Sequence, residues 1–374
     1  MLLLIPGPVT TRPAVRAAMM QDVAPWDNDT RAFYRALKTR ILQAAGGREP
    51  EHAALPLQGC GHFATEAAVR SFVPVGGRLL VPMTGHYAER MARLAREAGR
   101  DVAEMQVSDS EPVPPVAIAA ALAADPGVTH VGVVYSETSS GLIHDVPAIG
   151  AAVRNAGRRL LVDAVSAFGA LPIDVSAAPE LDAVWFSSNK CLECVPGVCF
   201  LVVRGDRLAG TAGRAGSWSL DLADVYADHL SAPGVIRFTP PAQVLCALDV
   251  ALRLWEEEGG QAARLRRYRA NADTLYRGMQ EIGLVPTLPR AVQGPIVMNI
   301  DAPDDPAWVL QRFVDGLKER GFLISNFGNT AHPSFRVGCI GAIGPEEMRG
   351  FAAAADRTLS AMGVRRRAPL RRAA

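Results

Sequence analysis

The sequence predicts an α/β protein with a mostly parallel, seven-stranded sheet, and three features of the chain carry that expectation. Seven short apolar runs, at 54–57, 78–83, 102–107, 128–135, 159–162, 183–186 and 198–203, alternate with helix-like stretches through the first two-thirds. Several are apolar throughout, as strands covered by helices on both faces are. Beyond about residue 245 come two long helical stretches, 244–258 and 261–282, then strand-like runs at 296–300, 322–326 and 334–339. The expected organisation is a large domain over 13–254 and a smaller α+β domain over 255–374, with residues 1–12 packed on the second.

In an open parallel sheet, ligand-binding residues gather in the loops at the strands' carboxyl ends, so each run is considered together with the loop after it. The first leads into Gln58-Gly-Cys60-Gly61-His62-Phe-Ala-Thr-Glu66 at a helix start. Glycines let the backbone approach closely there, and open amides attract a phosphate. The loop lacks the third glycine of a dinucleotide fingerprint. The run at 78–83 leads into Gly85-His-Tyr87-Ala-Glu-Arg90, which offers an aromatic ring, and 128–135 into the hydroxyl cluster Ser136-Glu-Thr138-Ser-Ser-Gly141. Ordinary packing and turn chemistry would use the same residues.

The run at 159–162 is followed by Asp163, and the run at 183–186 by Ser-Ser188-Asn-Lys190. A carboxylate and an amine are thus expected at neighbouring strand ends, as a buried ion pair or as a chemical pair. Farther along, Arg237-Phe-Thr239-Pro-Pro breaks the chain before the first long helix, and reads equally as a helix start with proline just inside. In the run 334–339, Arg336 lies among apolar residues and glycines. A guanidinium there needs an anionic partner, either an Asp or Glu or a substrate carboxylate or phosphonate.

Only three of the 39 basic residues are lysines: Lys38, Lys190 and Lys318. An amine can lose its proton and attack a carbonyl, whereas a guanidinium cannot, so a retained lysine is informative. Lys38 and Lys318 stand in charged helical stretches and read as solvated. Lys190 ends an apolar strand, and with Asp163 it makes the pair that pyridoxal phosphate chemistry needs: an amine for a Schiff base and an acid to hold the pyridine nitrogen protonated.

The 49% apolar content suits a substantial core, and a net charge of +1 gives no field to recruit nucleic acid or a membrane. No run is long enough to span a bilayer and no signal-like segment opens the chain, so a cytoplasmic enzyme of small molecules is expected. Cys191 and Cys194 have metal-pair spacing, but a second pair is missing, so buried free thiols and no metal are expected. The tail 365–372 carries five arginines and reads as a solvated terminus.

From Ile5-Pro-Gly-Pro to Phe335-Arg-Val-Gly338, the order of motifs resembles the class V aminotransferases, which are fold-type I pyridoxal phosphate enzymes. Trp26-Asp-Asn-Asp29, Leu57-Gln-Gly-Cys-Gly61, Ser136-Glu-Thr-Ser-Ser-Gly141, Ser188-Asn-Lys-Cys191, Val195-Pro-Gly197 and Arg237-Phe-Thr239 carry the likeness. It implies that Lys190 forms the Schiff base with pyridoxal 5'-phosphate and that Asp163 binds its ring nitrogen. Cys60, Gly61 and His62 would hold the phosphate, Ser188 would add a hydroxyl, Tyr87 would stack on the ring and Thr138 would lie near its phenolic oxygen. Thr239 would reach the phosphate of a neighbouring subunit, which implies a homodimer with shared active sites. Arg336 would bind the substrate's acidic group, with an amine donor and a 2-oxo acid as the reactants. The chain departs from the subgroup of the family that it otherwise resembles most at Cys60 and His62, where hydroxyl residues are usual and the Gly-x-Gly-His loop is more like that of another subgroup, at Glu193-Cys194, and at Ser325-Asn-Phe-Gly-Asn329, which replaces a Pro-Gly-Lys-type segment.

Overall fold

The computed structural model describes residues 1–326 and 333–369, so the expectations for 327–329 and for the end of the arginine tail lie outside the described residues. The chain runs through β1 (Leu2–Leu3), α1 (Pro13–Ala17), α2 (Asn28–Ala44), β2 (His52–Gly59), α3 (Gly61–Phe72), β3 (Arg78–Met83) and α4 (His86–Glu97). It continues with β4 (Asp101–Gln106), α5 (Pro115–Ala124), β5 (Val128–Val134), α6 (Val146–Asn155), β6 (Arg159–Asp163), β7 (Leu181–Ser187) and β8 (Gly197–Arg204). The remaining elements are α7 (Leu222–Ser231), α8 (Ala242–Glu258), α9 (Gly260–Glu281), β9 (Val297–Asp301), α10 (Leu310–Glu319), β10 (Phe322–Leu323), β11 (Ser334–Gly338) and α11 (Pro345–Met362).

All seven expected runs are strands of one sheet, in the order β2-β8-β7-β6-β5-β3-β4. Only β8 runs against its neighbours. The carboxyl ends of β2, β3, β5, β6 and β7 therefore lie along one edge, where the candidate residues were expected. Alternation along β7 shows how the sheet is filled: Ala183 and Trp185 pack towards α3, α4 and α7, Val184 and Phe186 towards α2, α6 and α8. On the latter face the Phe186 ring stacks on Phe168 at 3.6 Å between centroids.

A separate apolar cluster gathers Leu4 with residues from α9, β9, α10, β11 and α11. We propose the division into 13–254 and 255–374 with 1–12, which this cluster and the parallel pairing of β1 with β10 support. The backbone break itself lies at Gly259 and Gly260, with φ of 104° and 68°, because a left-handed residue ends α8. The expected run 322–326 is a strand only over Phe322–Leu323, and Ser325 instead bridges to Arg336.

One reading is corrected. Lys318 is exposed, but Lys38 is buried at 3% exposure. Tyr34, Leu37, Ile41 and Leu42 recur at helical spacing, and Lys38 shares their face of α2; its charged neighbours in sequence lie elsewhere on the helix. Its Nζ donates to the Val235 carbonyl at 3.2 Å and lies 3.4 Å from His229 Nδ1. Burial pulls its pKa down to about 8. An amine whose folded pKa lies below its unfolded value binds a proton more readily when unfolded, so the protein gains stability as pH rises through about 8 towards the ordinary lysine range. Lys38→Met is expected to be at least as stable as the wild type near neutral pH and to lose that advantage over this window, by about 3 kcal/mol in unfolding free energy. Urea unfolding curves that keep a constant separation across the window would contradict this.

Candidate active site

At the edge of the sheet, β6 and β7 are neighbours, and register places Asp163 beside Trp185 and Val134. Asp163 is 5% exposed, and its Oδ1 accepts from the Val165 amide at 2.9 Å. Burial lifts its carboxyl to about 6, with buried Glu137 adding to the rise and Lys190 opposing it. The carboxyl is therefore still ionised at neutral pH. Lys190 stands three residues past the end of β7, 9% exposed, and its Nζ donates to the Pro6 carbonyl at 2.9 Å. Burial draws its pKa down to about 8, and Asp163 is among the charges that resist the fall. The two groups have been brought towards each other on the pH scale by loss of water. Gly7, at φ 141°, leaves room for the lysine: a Cβ there would lie 2.5 Å from Lys190 Cδ.

The helix start after β2 comes to the same edge. α3 begins at Gly61 with Cys60 before it, and no side chain caps it, which leaves its first amides available to an anion. Gly61 packs on Val165, two residues past Asp163, so closely that a Cβ would fall 2.4 Å from a Val165 methyl. Thr65 fixes the helix to the sheet, its Oγ1 donating to the Gly61 carbonyl at 3.0 Å and accepting from Trp185 Nε1 at 2.9 Å. His62 is half-buried beside Phe63, and Cys60 is exposed.

Three further loops close round the pair. Thr138 Oγ1 and Ser166 Oγ lie 2.8 Å apart, and Arg336 Nη1 donates to the Thr138 carbonyl at 3.3 Å. Tyr87, Thr138, Lys190 and Arg336 line one cavity of about 600 Å³, together with Pro6 and Gly7. Burial raises the Tyr87 phenol above its ordinary pKa. Ser188 behaves differently: it is fully buried, with its hydroxyl donating to the Val195 carbonyl at 2.6 Å and its amide to Val198. Thr239 is exposed and is not among the residues lining this cavity. It follows Phe238, which has a left-handed φ of 61°.

Glu137, Ser166 and Asn299 were not singled out from the sequence. Glu137 is fully buried, with burial raising its pKa, and its Oε1 accepts from the Ser139 amide at 3.0 Å and hydroxyl at 2.6 Å. Asn299 Nδ2 donates to the Ser139 carbonyl at 2.6 Å from the strand position opposite Arg336. These contacts hold the Thr138 loop from both sides. The only signal for Glu137 in the sequence was an acidic residue among hydroxyls at a strand end.

The thiols of Cys191 and Cys194 are buried, and burial raises each to about 12, so both are protonated. Among the described residues, no group of three or more His, Cys, Asp or Glu side chains is placed to hold a metal, and no helix is long and apolar enough to cross a membrane.

Residues 34–334 match the family described as Aminotransferase class-V. The 2-aminoethylphosphonate--pyruvate transaminase 2 of Burkholderia lata is 42% identical over 365 residues, covering 98% of this chain and 96% of that protein. The 2-aminoethylphosphonate--pyruvate transaminase of Pseudomonas fluorescens is 39% identical over 97% of this chain and 98% of its own length. Among solved structures, alanine--glyoxylate aminotransferase from Nostoc sp. superposes with a TM-score of 0.87 at 25% identity, covering 96% of this chain and 95% of that one. Pyridoxamine-pyruvate aminotransferase from Mesorhizobium loti gives 0.88 at 25% identity, covering 98% and 93%. Both likenesses extend over nearly the whole of the α/β architecture described above.

Lys190 is expected to behave as an amine with a pKa of about 8. In the cofactor-free protein, reductive methylation at Lys190, followed by peptide mass spectrometry, should rise with pH and level off just above that value. A rate still climbing towards the ordinary lysine range would contradict it. Gly7→Ala should slow the labelling by displacing the side chain.

Proposed function

The chain belongs to the class V aminotransferases, and from that premise we propose that it uses pyridoxal 5'-phosphate to transfer the amino group of 2-aminoethylphosphonate to pyruvate, giving phosphonoacetaldehyde and L-alanine. The single observation that carries the chemistry is the desolvated Lys190–Asp163 pair beside an uncapped helix start. The relatives named for this reaction, matched over nearly the whole chain, support the substrate.

The residues fit the cofactor. A buried carboxylate suits a protonated pyridine nitrogen, an uncapped helix start suits a phosphate, and an amine near its pKa at mildly alkaline pH suits a carbonyl. When bound, pyridoxal phosphate supplies an electron-accepting ring that stabilises charge on the carbon next to the amine. Asp163 would hold the proton on the ring nitrogen. The amides of Cys60, Gly61 and His62 would hold the phosphate, Tyr87 would cover the ring face and Thr138 would lie at its phenolic oxygen. Ser188 would have to turn its hydroxyl from Val195 to join them. Lys190 Nζ, released to the neutral form, would take the proton from the donor carbon and return one across the same face, with the Pro6 carbonyl orienting it. Arg336 would bind the phosphonate of the donor and then the carboxylate of the acceptor, since both present paired anionic oxygens to its fork.

We also read the protein as a cytoplasmic homodimer with shared active sites that serves phosphonate degradation. Exposed Thr239, flanked by exposed Phe238 with Trp218 packed edge-on at 5.3 Å, supports a role for this surface towards a neighbouring copy. A second reading, an alanine or serine aminotransferase using glyoxylate or pyruvate, is favoured by the Gly-Cys-Gly-His loop at 59–62.

Purified enzyme given 2-aminoethylphosphonate and pyruvate should form L-alanine faster than it turns over alanine or serine with glyoxylate. No alanine from the phosphonate, with serine or alanine turnover intact, would replace the first reading by the second. Lys190→Arg should fold and lose at least about a thousandfold in turnover, the upper scale for a positioned proton-transfer group. In the wild type, borohydride should abolish the visible absorbance and leave the cofactor covalently attached at Lys190; covalent attachment undiminished in the variant would overturn the assignment.

A further inference from the structure

Besides Tyr87, four residues on the first turns of α4, His86, Glu89, Arg90 and Arg93, face the cavity that Lys190 and Arg336 line. Two of the three basic ones have carboxylate partners: His86 Nδ1 lies 2.8 Å from Glu89, and Arg93 donates to Glu97 at 2.8 Å. Arg90 does not pair with a carboxylate among the described residues. Its guanidinium sits over the ring of Tyr87, 5.1 Å from the centroid. An arginine stacked on an aromatic face keeps its charge and its donors for something else.

Position gives that charge a use. Burial is the main influence on the Tyr87 phenol, but both Arg90 and Arg336 pull it the other way, so both guanidiniums lie within electrostatic reach of one hydroxyl. Arg336 comes from β11 and is tied to the Thr138 carbonyl, whereas Arg90 comes from α4 on another wall. The carboxylate next to Arg90 in the chain, Glu89, is engaged with His86.

A carboxylate has two coplanar oxygens and one charge, which a single guanidinium fork satisfies. A phosphonate has three tetrahedral oxygens and up to two charges, so one fork leaves an oxygen and part of the charge unmet. Resting on the functional reading above, we propose that Arg90 is a second anion-binding residue of this cavity and selects phosphonate over carboxylate substrates. Arg336 takes the part of the anion that both kinds of substrate share. Arg90 takes the third oxygen and the second charge, and its exposure lets it reach inward when the larger anion arrives.

The test compares ethylphosphonate with propionate, which share a chain and differ in the acidic group. Their dissociation constants are read at mildly alkaline pH from changes in the holoenzyme's visible absorbance, without turnover. Arg90→Leu should weaken ethylphosphonate by about ten- to a hundredfold, the scale of a hydrogen bond to a charged group, and propionate by less than about threefold. Arg90→Lys should recover part of the phosphonate affinity, since charge remains and the fork is lost. Equal weakening of both anions, or no change in either, would overturn the proposal. A wild-type enzyme that does not transaminate 2-aminoethylphosphonate would remove the functional reading instead. That result is separable, because the anion comparison does not pass through catalysis.

Discussion

Loss of water around two opposite charges governs this site. Asp163 ends one strand of a sheet whose two faces are both covered, and Lys190 stands three residues past the end of the parallel strand beside it, so neither can be hydrated as it would be at an open surface. Desolvation works in opposite directions on the two, lifting the acid to about 6 and lowering the base to about 8. Near neutral pH the pair is still ionised, but the lysine needs little further change to become a nucleophile. Parallel topology supplies this without special devices, because it sends several strand ends and one helix start to the same edge.

Holding a lysine there places a demand on the loop behind it. Glu193, three residues on, is buried with φ of 57° and meets three groups of α9: Arg267 at 2.7 Å, Tyr268 Oη at 2.7 Å and Arg264 at 3.4 Å. Arg264 also donates to the Cys191 carbonyl, and Arg267 to the carbonyls of Gly341 and Ile343 beyond β11. A buried ion network of this kind contributes little net stability compared with apolar packing, and removal of one member leaves a costly unpaired charge. Its contribution here is register. Both arginines hold the loop of Lys190, and Arg267 also holds the segment after the strand of Arg336, so the amine and the guanidinium are referred to one helix.

The strands and the Lys190–Asp163 pair were legible because they depend on local pattern: apolar runs, the residues that end them and their order. Lys38 was misread for a related reason. Its neighbours in sequence are charged, but its neighbours in space are set by the helical repeat of Tyr34, Leu37 and Ile41, and that repeat outweighs the local charge. Asn299 could not be assigned a role from pattern, since it acts on Ser139, far away in the chain, and Glu137 joins its local contact with Ser139 to a distant one with Thr84. Thr239 is a different case. Its expected partner belongs to a second copy of the chain, so a single chain can present the residue at its surface and nothing more.

The lysines themselves show why a displaced pKa does not define a site. Lys38 and Lys190 are both buried, and burial brings both to about 8. Lys38 faces a histidine and a backbone carbonyl between α2 and the segment after α7, with no carboxylate at hydrogen-bonding distance among the described residues, although Glu49 acts on it from farther away, and it has no place on the wall of the cavity that Lys190 lines. Lys190 has the same loss of solvation but opens on a cavity, faces an acid on the neighbouring strand and shares its space with an arginine suited to an anion. Desolvation makes an amine capable of chemistry; access and a charge partner decide whether it performs any. In this chain, where arginine replaces lysine almost everywhere else, the two buried lysines separate those requirements.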